Sequence, residues 1–271
     1  VYLKSCVTVD SPNYLILYLD LSQAHSGTFD ITFVNGEKKF VYAYELKERK
    51  ESTDDIQGYD SSDVLYLIMP DRFANGDQSN DQISMSTEYV MDRSKPGARH
   101  GGDLKGIEDH LDYFVDLGVT AIWLNPVLEN DGKGGSYHGY FSTDMFHVDR
   151  RLGSNEDYLR LINKAHQKGL RVVMDMIFNH IGANHPWVLD VPSKDWFNVS
   201  PSKRGNHAKA IFYDNYASTY DSEVMKYAGF GIDLNQANPH VGKYLIQNSI
   251  WWIEYARIDA IRQDTYPYSD F

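Results

Sequence analysis

Residues Asp259-Ala260-Ile261-Arg262-Gln263-Asp264 combine a strand-like apolar pattern with two ionisable side chains two positions apart. Successive side chains of a strand point to opposite faces, so Arg262 and Asp264 share a face at the strand's C-terminal end. A carboxylate beside a fixed guanidinium is favoured in its charged form, the form a nucleophile needs. Three other apolar runs also end in polar groups: Asp71-Arg72, Asn125, and Asp175 with Asn179 and His180. The C-terminal ends of strands in a parallel α/β architecture converge on one face, so a shared cleft is expected. Taken singly, Asp175 could equally cap a turn, and His180 could be an ordinary loop histidine. A second chemistry is suggested by Asn75, Asp77, Asn80 and Asp81. Oxygen donors crowded in this way suit a hard cation of the Ca²⁺ type, although a solvated Asn/Asp turn has the same composition.

The elements that must position these groups are legible in the hydrophobic pattern. Residues 1 to about 50 alternate apolar and polar positions, as in Tyr14–Leu19 and Thr28–Phe33, with a turn signal at Asn35-Gly36. They read as antiparallel strands at the end of a β-sandwich. The charged run 47–55 reads as a linker. Beyond it, strands alternate with amphipathic helices. The expected strands are Val64–Met69 (buried), Ala121–Leu124, Leu170–Met176 and Ile258–Gln263. Between them come a helix over Ile107–Leu117 closed by Gly118, a second capped by Ser154, and a third opened by Asn238-Pro239. Four strands and three helices suit either half of a closed barrel or a small doubly wound sheet. The resulting division is 1–55 (sandwich and linker), 56–180 (first part of the α/β unit), 181–236 (irregular insertion after the third strand) and 237–271 (third helix, fourth strand).

The chain of 271 residues has a formal net charge of −12 and no Lys/Arg cluster, which argues against nucleic acid as a partner. No apolar stretch reaches membrane length. Cys6 is the single cysteine, so no internal disulfide can form and the redox compartment stays open. Aromatic residues make up 14%, with 20 Tyr, more than a core of Leu, Ile and Val requires; core and surface filling accounts for most of them, and the rest offer flat platforms for sugar faces.

Asp175-Met176-Ile177-Phe178-Asn179-His180 and Ile261-Arg262-Gln263-Asp264 resemble two signatures of the α-amylase family of glycoside hydrolases. Tyr137-His138-Gly139-Tyr140 and Ile232-Asp233-Leu234-Asn235 resemble two more, and all four come in the family's order over residues 64–271. The stretch Pro70–Asp77 with Asn80 and Asp81 is similar to the neopullulanase and cyclomaltodextrinase branch, which also carries an N-terminal β-sandwich. The resemblance implies the first half, strands 1 to 4, of a (β/α)8 TIM barrel. It further implies retaining hydrolysis of α-glucosidic bonds in pullulan, cyclodextrins or maltodextrins. Asp264 would be the nucleophile, Arg262 its orienting partner, and Asp175, His180, Tyr140 and His138 the groups that bind the sugar. A structural Ca²⁺ would be held by Asn75, Asp77, Asn80, Asp81, the carbonyl of Gly101, and Asp103.

The family's acid/base Glu ends a fifth strand, so the chain is expected to be a segment of a longer enzyme and inactive alone. The family has Gly at the positions of Arg257 and Ala260, a departure that bears on the placement of Asp264. Dimerisation through the N-terminal domain is common in the branch, which leaves a homodimer as an open expectation; the compartment stays open, with the periplasm preferred. A noncatalytic carbohydrate-binding relative is the alternative from another class. A metal-dependent hydrolase using Asp175, His180 and His185 is the other, although that His spacing lacks the metalloprotease pattern. The loop Asp131–Ser136 lacks the spacing of a phosphate cradle and reads as a flexible loop beside the groove.

Overall fold

The computed structural model describes residues 1–49, 56–83, 91–132, 135–198, 231–266 and 269. Part of the proposed linker, residues 199–230 of the insertion, and Lys133 and Gly134 of the glycine-rich loop lie outside the described residues. The chain divides into two compact units, Val1–Thr53 and Asp54–Phe271.

The first unit consists of two antiparallel pairs, β1 (Tyr2–Thr8) with β2 (Leu15–Asp20) and β3 (Gly27–Asn35) with β4 (Lys38–Leu46). The second pair closes at the expected place. Asn35 sits opposite Lys38, and Gly36 has φ +60, the positive value that a two-residue hairpin loop demands. Phe29, Ile31 and Phe33 alternate onto the less exposed face of β3 while Thr28, Thr32 and Val34 face water.

In the second unit β5 (Leu65–Ile68), β6 (Ala121–Leu124), β7 (Arg171–Ile177) and β10 (Ala260–Asp264) form a parallel sheet in the order β10-β7-β6-β5. Each strand neighbours its successor, so the sheet lacks the order reversal of a doubly wound fold and is the opening half of a (β/α)8 barrel. Two elements depart from expectation. β5 is shorter than read and half exposed, with Leu65 and Leu67 open to solvent, because within the described sheet it is an edge strand paired only with β6. The helix expected over Ile107–Leu117 is two short helices, α2 (Leu104–Asp109) and α3 (Leu111–Asp116), broken at His110. His110 leaves helical geometry at φ −116 while its ring Nδ1 meets the Gly106 carbonyl at 2.7 Å, a local side-chain bond that competes with the helix ladder. Gly118 then turns the chain at φ +81, as read.

The remaining elements are α1 (Pro70–Phe73), α4 (Asn155–Gln167), the two-residue ladder β8 (His180–Ile181) with β9 (Ile232–Asp233), α5 (Pro186–Leu189) and α6 (Pro239–Ala256). Ser154 caps α4 in a full capping box with Asp157. Asn238 caps α6 by accepting from the amides of His240 and Val241, with Pro239 at the first helical position. The buried faces of α4 (Tyr158, Leu161, Ile162, Ala165) and α6 (Val241, Leu245, Trp252, Ala256) pack on Ile122, Val172 and Met174 of the sheet. Each fully buried aliphatic contributes about 2 kcal/mol. Among the described residues no helix is long and apolar enough to cross a membrane.

Arg257 follows α6 at φ 62, the left-handed conformation for which the family's Gly is suited, at a cost of about 1 kcal/mol for a non-glycine residue. Ala260 pairs with Val173, and the register runs unbroken to Asp264 opposite Ile177.

Candidate active site

The parallel register sets Arg262 directly opposite Asp175 on the neighbouring strand. Adjacent strands lie about 4.8 Å apart, which a guanidinium spans easily. Arg262 Nη1 donates to Asp175 Oδ1 at 3.0 Å and Oδ2 at 3.1 Å, and the same nitrogen donates to Asp264 Oδ1 at 2.7 Å. One guanidinium nitrogen therefore ties together two carboxylates from two strands.

Asp175 is only 1% exposed and gathers two more donors on Oδ2, the indole Nε1–H of Trp123 at 2.9 Å and the hydroxyl of Tyr140 at 2.9 Å. Burial pushes its carboxyl above the ordinary range; Arg262 is the strongest opposing influence, followed by these hydrogen bonds. Burial works against the charge on Arg262, but Asp175 and Asp264 together hold it above the ordinary arginine value. Burial and the neighbouring Asp175 charge push the Tyr140 hydroxyl well up, so it stays a neutral donor.

Tyr140 is delivered by a short 3₁₀ turn, Ser136–His138, flanked by Gly135 at φ +77 and Gly139 at φ +88. A side chain at Gly139 would run into the Pro126 carbonyl, so this approach needs glycine on two counts. Asn125, at the end of β6, donates to the His138 carbonyl at 3.2 Å, and the Tyr140 amide donates to His138 Nδ1 at 3.0 Å. The His138 and Tyr140 rings lie 5.6 Å apart. His180 donates from Nε2 to the Tyr140 carbonyl at 3.0 Å. Burial lowers its pKa, which keeps the ring neutral at physiological pH. The backbone of His180 pairs with Asp233, so the Ile232–Asn235 segment closes on the end of β7.

The structure thus gathers Asp264, Arg262, Asp175, Tyr140, His138 and His180 at the C-terminal ends of the strands. Sequence reading passed over Trp123, which also sits beneath the Arg262 guanidinium at 5.1 Å from its ring centre. Strand parity was the available signal, because Trp123 lies on the same face as Asn125. His185 takes no part: its Nδ1 caps α5 by accepting from the Trp187 amide, and burial lowers its pKa to about 4. Among the described residues no three His, Cys, Asp or Glu side chains are grouped as a metal site, and the His185 Nδ1 that the metal-hydrolase reading would use is spent on the α5 cap.

The oxygen-rich turn forms a separate cluster. Asn75 Nδ2 donates to Asp81 Oδ1 at 2.7 Å, while Asn75 Oδ1 and Asn80 Oδ1 are buried with no hydrogen-bond partner. Gly101, at φ +82, lies so close that a side chain there would meet Asp81 Oδ1 and Asn75 Nδ2. Asp71 holds that approach by accepting from the amides of His100 and Gly101. Orphaned buried carbonyl-type oxygens beside a carboxylate are what a hard cation would satisfy. Two expected ligands are otherwise occupied. Asp77 accepts from the Ser79 amide and hydroxyl, and Asp103 accepts from the amides of Gly76, Asp77 and Gly106 as the cap of α2.

Residues 67–270 match the family model "Alpha amylase, catalytic domain", and residues 1–50 match "Cyclomaltodextrinase, N-terminal". An intracellular maltogenic amylase of Bacillus subtilis is 36% identical over 213 residues, covering 75% of this chain and 33% of the relative. Neopullulanase 2 of Thermoactinomyces vulgaris is 31% identical over 237 residues, covering 83% and 37%. The solved structure of an Anoxybacillus α-amylase is 38% identical with a TM-score of 0.63, covering 82% of this chain and 43% of that one. The chain spans about a third of the length of these curated relatives.

Proposed function

The chain belongs to the α-amylase family of glycoside hydrolases, in its cyclomaltodextrinase and neopullulanase branch, and from that premise we propose that the complete protein hydrolyses α-glucosidic bonds with retention. The observation that carries the proposal is the single Arg262 nitrogen bridging Asp175 and Asp264 at the strand ends. Asp264 attacks the anomeric carbon and forms a glycosyl-enzyme. A second carboxyl group, about 5 Å away, protonates the departing oxygen and then activates water. That acid is expected at the end of a fifth strand, and the chain alone is expected to be inactive for want of it.

Arg262 orients the attacking oxygen and Asp175 anchors Arg262. Tyr140, held by His138 and His180, forms a wall for the sugar, so these groups work through orientation and transition-state stabilisation. Pullulan, cyclodextrins and maltodextrins are the proposed substrates. A Ca²⁺ ion held by Asn75, Asn80, Asp81 and the Gly101 carbonyl would brace the turn after β5 and supply no chemistry. The test is product analysis on pullulan with the complete protein and its Asp264→Asn variant. A loss of about 10³-fold or more in kcat is expected for a removed nucleophile, and near wild-type turnover by the variant would overturn the proposal.

A further inference from the structure

Trp123 holds two members of the Asp175–Arg262–Asp264 chain at once. Its Nε1–H donates to Asp175 Oδ2 at 2.9 Å, and its ring lies under the Arg262 guanidinium at 5.1 Å. The side chain is half-buried at the end of β6, one strand beyond Asp175 in the sheet, where Trp123 pairs with Val173. It reaches Asp175 diagonally, two residues further along β7. The carboxylate it donates to is Asp175, and Asp175 in turn fixes the nitrogen that reaches Asp264. We propose that Trp123 is a positioning residue for the nucleophile, acting through Asp175 and Arg262 by means of its indole N–H.

The physical argument is a count of constraints. Arg262 Nη1 serves three carboxylate oxygens at 2.7–3.1 Å, so its location is a compromise between Asp175 and Asp264. Asp175 sets its side of that compromise through the direction in which its carboxylate plane is turned. Two donors fix that plane on the Oδ2 side, Trp123 from a rigid strand and Tyr140 from a glycine-flanked loop. Removal of the strand-borne donor leaves the plane held by the loop donor and by Arg262 itself, the group whose position it is meant to set. Arg262 and Asp264 then rotate together, away from the line of attack, while the sugar-facing wall of Tyr140, His138 and His180 remains.

The inference rests on the reading of Asp264 as nucleophile, and the experiment separates the two. In the complete protein, Trp123→Phe keeps a flat ring under Arg262 and loses the N–H, whereas Trp123→Gln restores an N–H donor without the ring. Asp264→Asn is assayed beside them on maltodextrin. The expected result for Trp123→Phe is a fall in kcat of about 10- to 100-fold, the equivalent of one hydrogen bond to a charged group, with KM changed less than about threefold. Trp123→Gln is expected to recover most of that loss, and cooperative thermal unfolding of both shows that they are folded. The proposal is overturned if Trp123→Phe retains wild-type kcat, if its defect is confined to KM, or if Trp123→Gln fails to recover kcat. If Asp264→Asn keeps its turnover, the nucleophile reading itself fails and carries the inference down with it, whatever the Trp123 variants do.

Discussion

Arg262→Met removes the charge that Asp175 and Asp264 share while keeping most of the apolar stem. Asp175, fully buried at its side chain, would lose its two contacts to Nη1 and keep the Trp123 and Tyr140 donors. Breaking a buried pair by deleting one partner costs about 3–5 kcal/mol. The Arg262 side chain is 34% exposed, so solvent already screens part of the interaction, and about 2–3 kcal/mol at neutral pH is the expected loss. The pH dependence supplies the sharper check. Burial already raises Asp175, and without Arg262 its folded-state pKa rises further above the unfolded value of about 3.9. A carboxyl raised on folding binds its proton more tightly in the native state, so stability increases as pH falls through the folded pKa. The penalty is therefore full above the folded pKa and gone below the unfolded one. Urea unfolding of wild type and variant at pH 7.5 and pH 5 would measure it, with the difference between them at least about 1 kcal/mol smaller at pH 5. A difference under about 0.5 kcal/mol at pH 7.5, or one unchanged between the two pH values, would refute the idea that Arg262 compensates a buried charge.

Calcium should raise the thermal midpoint of chelator-treated protein, and Asn75→Ala with Asn80→Ala should abolish that response whatever the loss of the Asn75–Asp81 bond does to the metal-free midpoint; calorimetry with and without CaCl₂ reads both. Gly139→Ala adds a methyl against the Pro126 carbonyl at a backbone φ of +88. It should cost about 1–3 kcal/mol and lower kcat/KM by displacing Tyr140, as measured by unfolding and by steady-state kinetics on maltodextrin.

Much of the site was legible because strand parity is a short-range rule. Arg262 and Asp264 had to share a face, and the polar residues after each apolar run had to meet if the strands were parallel. The same rule would have found Trp123, but a tryptophan inside Ala121–Leu124 reads as core until its N–H is seen to have an acceptor. What the sequence withheld depends on single side-chain choices and on which strands become neighbours. The break at His110 follows from one ring nitrogen choosing the Gly106 carbonyl, and no periodicity announces it. The exposure of β5 follows from its place at the sheet's edge, which hydrophobicity does not encode. The choice between half barrel and doubly wound sheet likewise waited on strand order.

The two-residue ladder between His180 and Asp233 has a bearing on how relatives can differ. The chain leaves the catalytic face at one rung and returns at the rung beside it, with Leu234 bridging to Phe197 and Asn198 gripping the Asp233 carboxylate at 2.7 Å. Such a pinched neck fixes both the point of departure and the point of return. One residue added between 259 and 262 would turn Arg262 and Asp264 to the opposite side of their strand, and one added at the neck would break the His180–Asp233 pairing. Length changes among relatives are therefore expected to avoid both places.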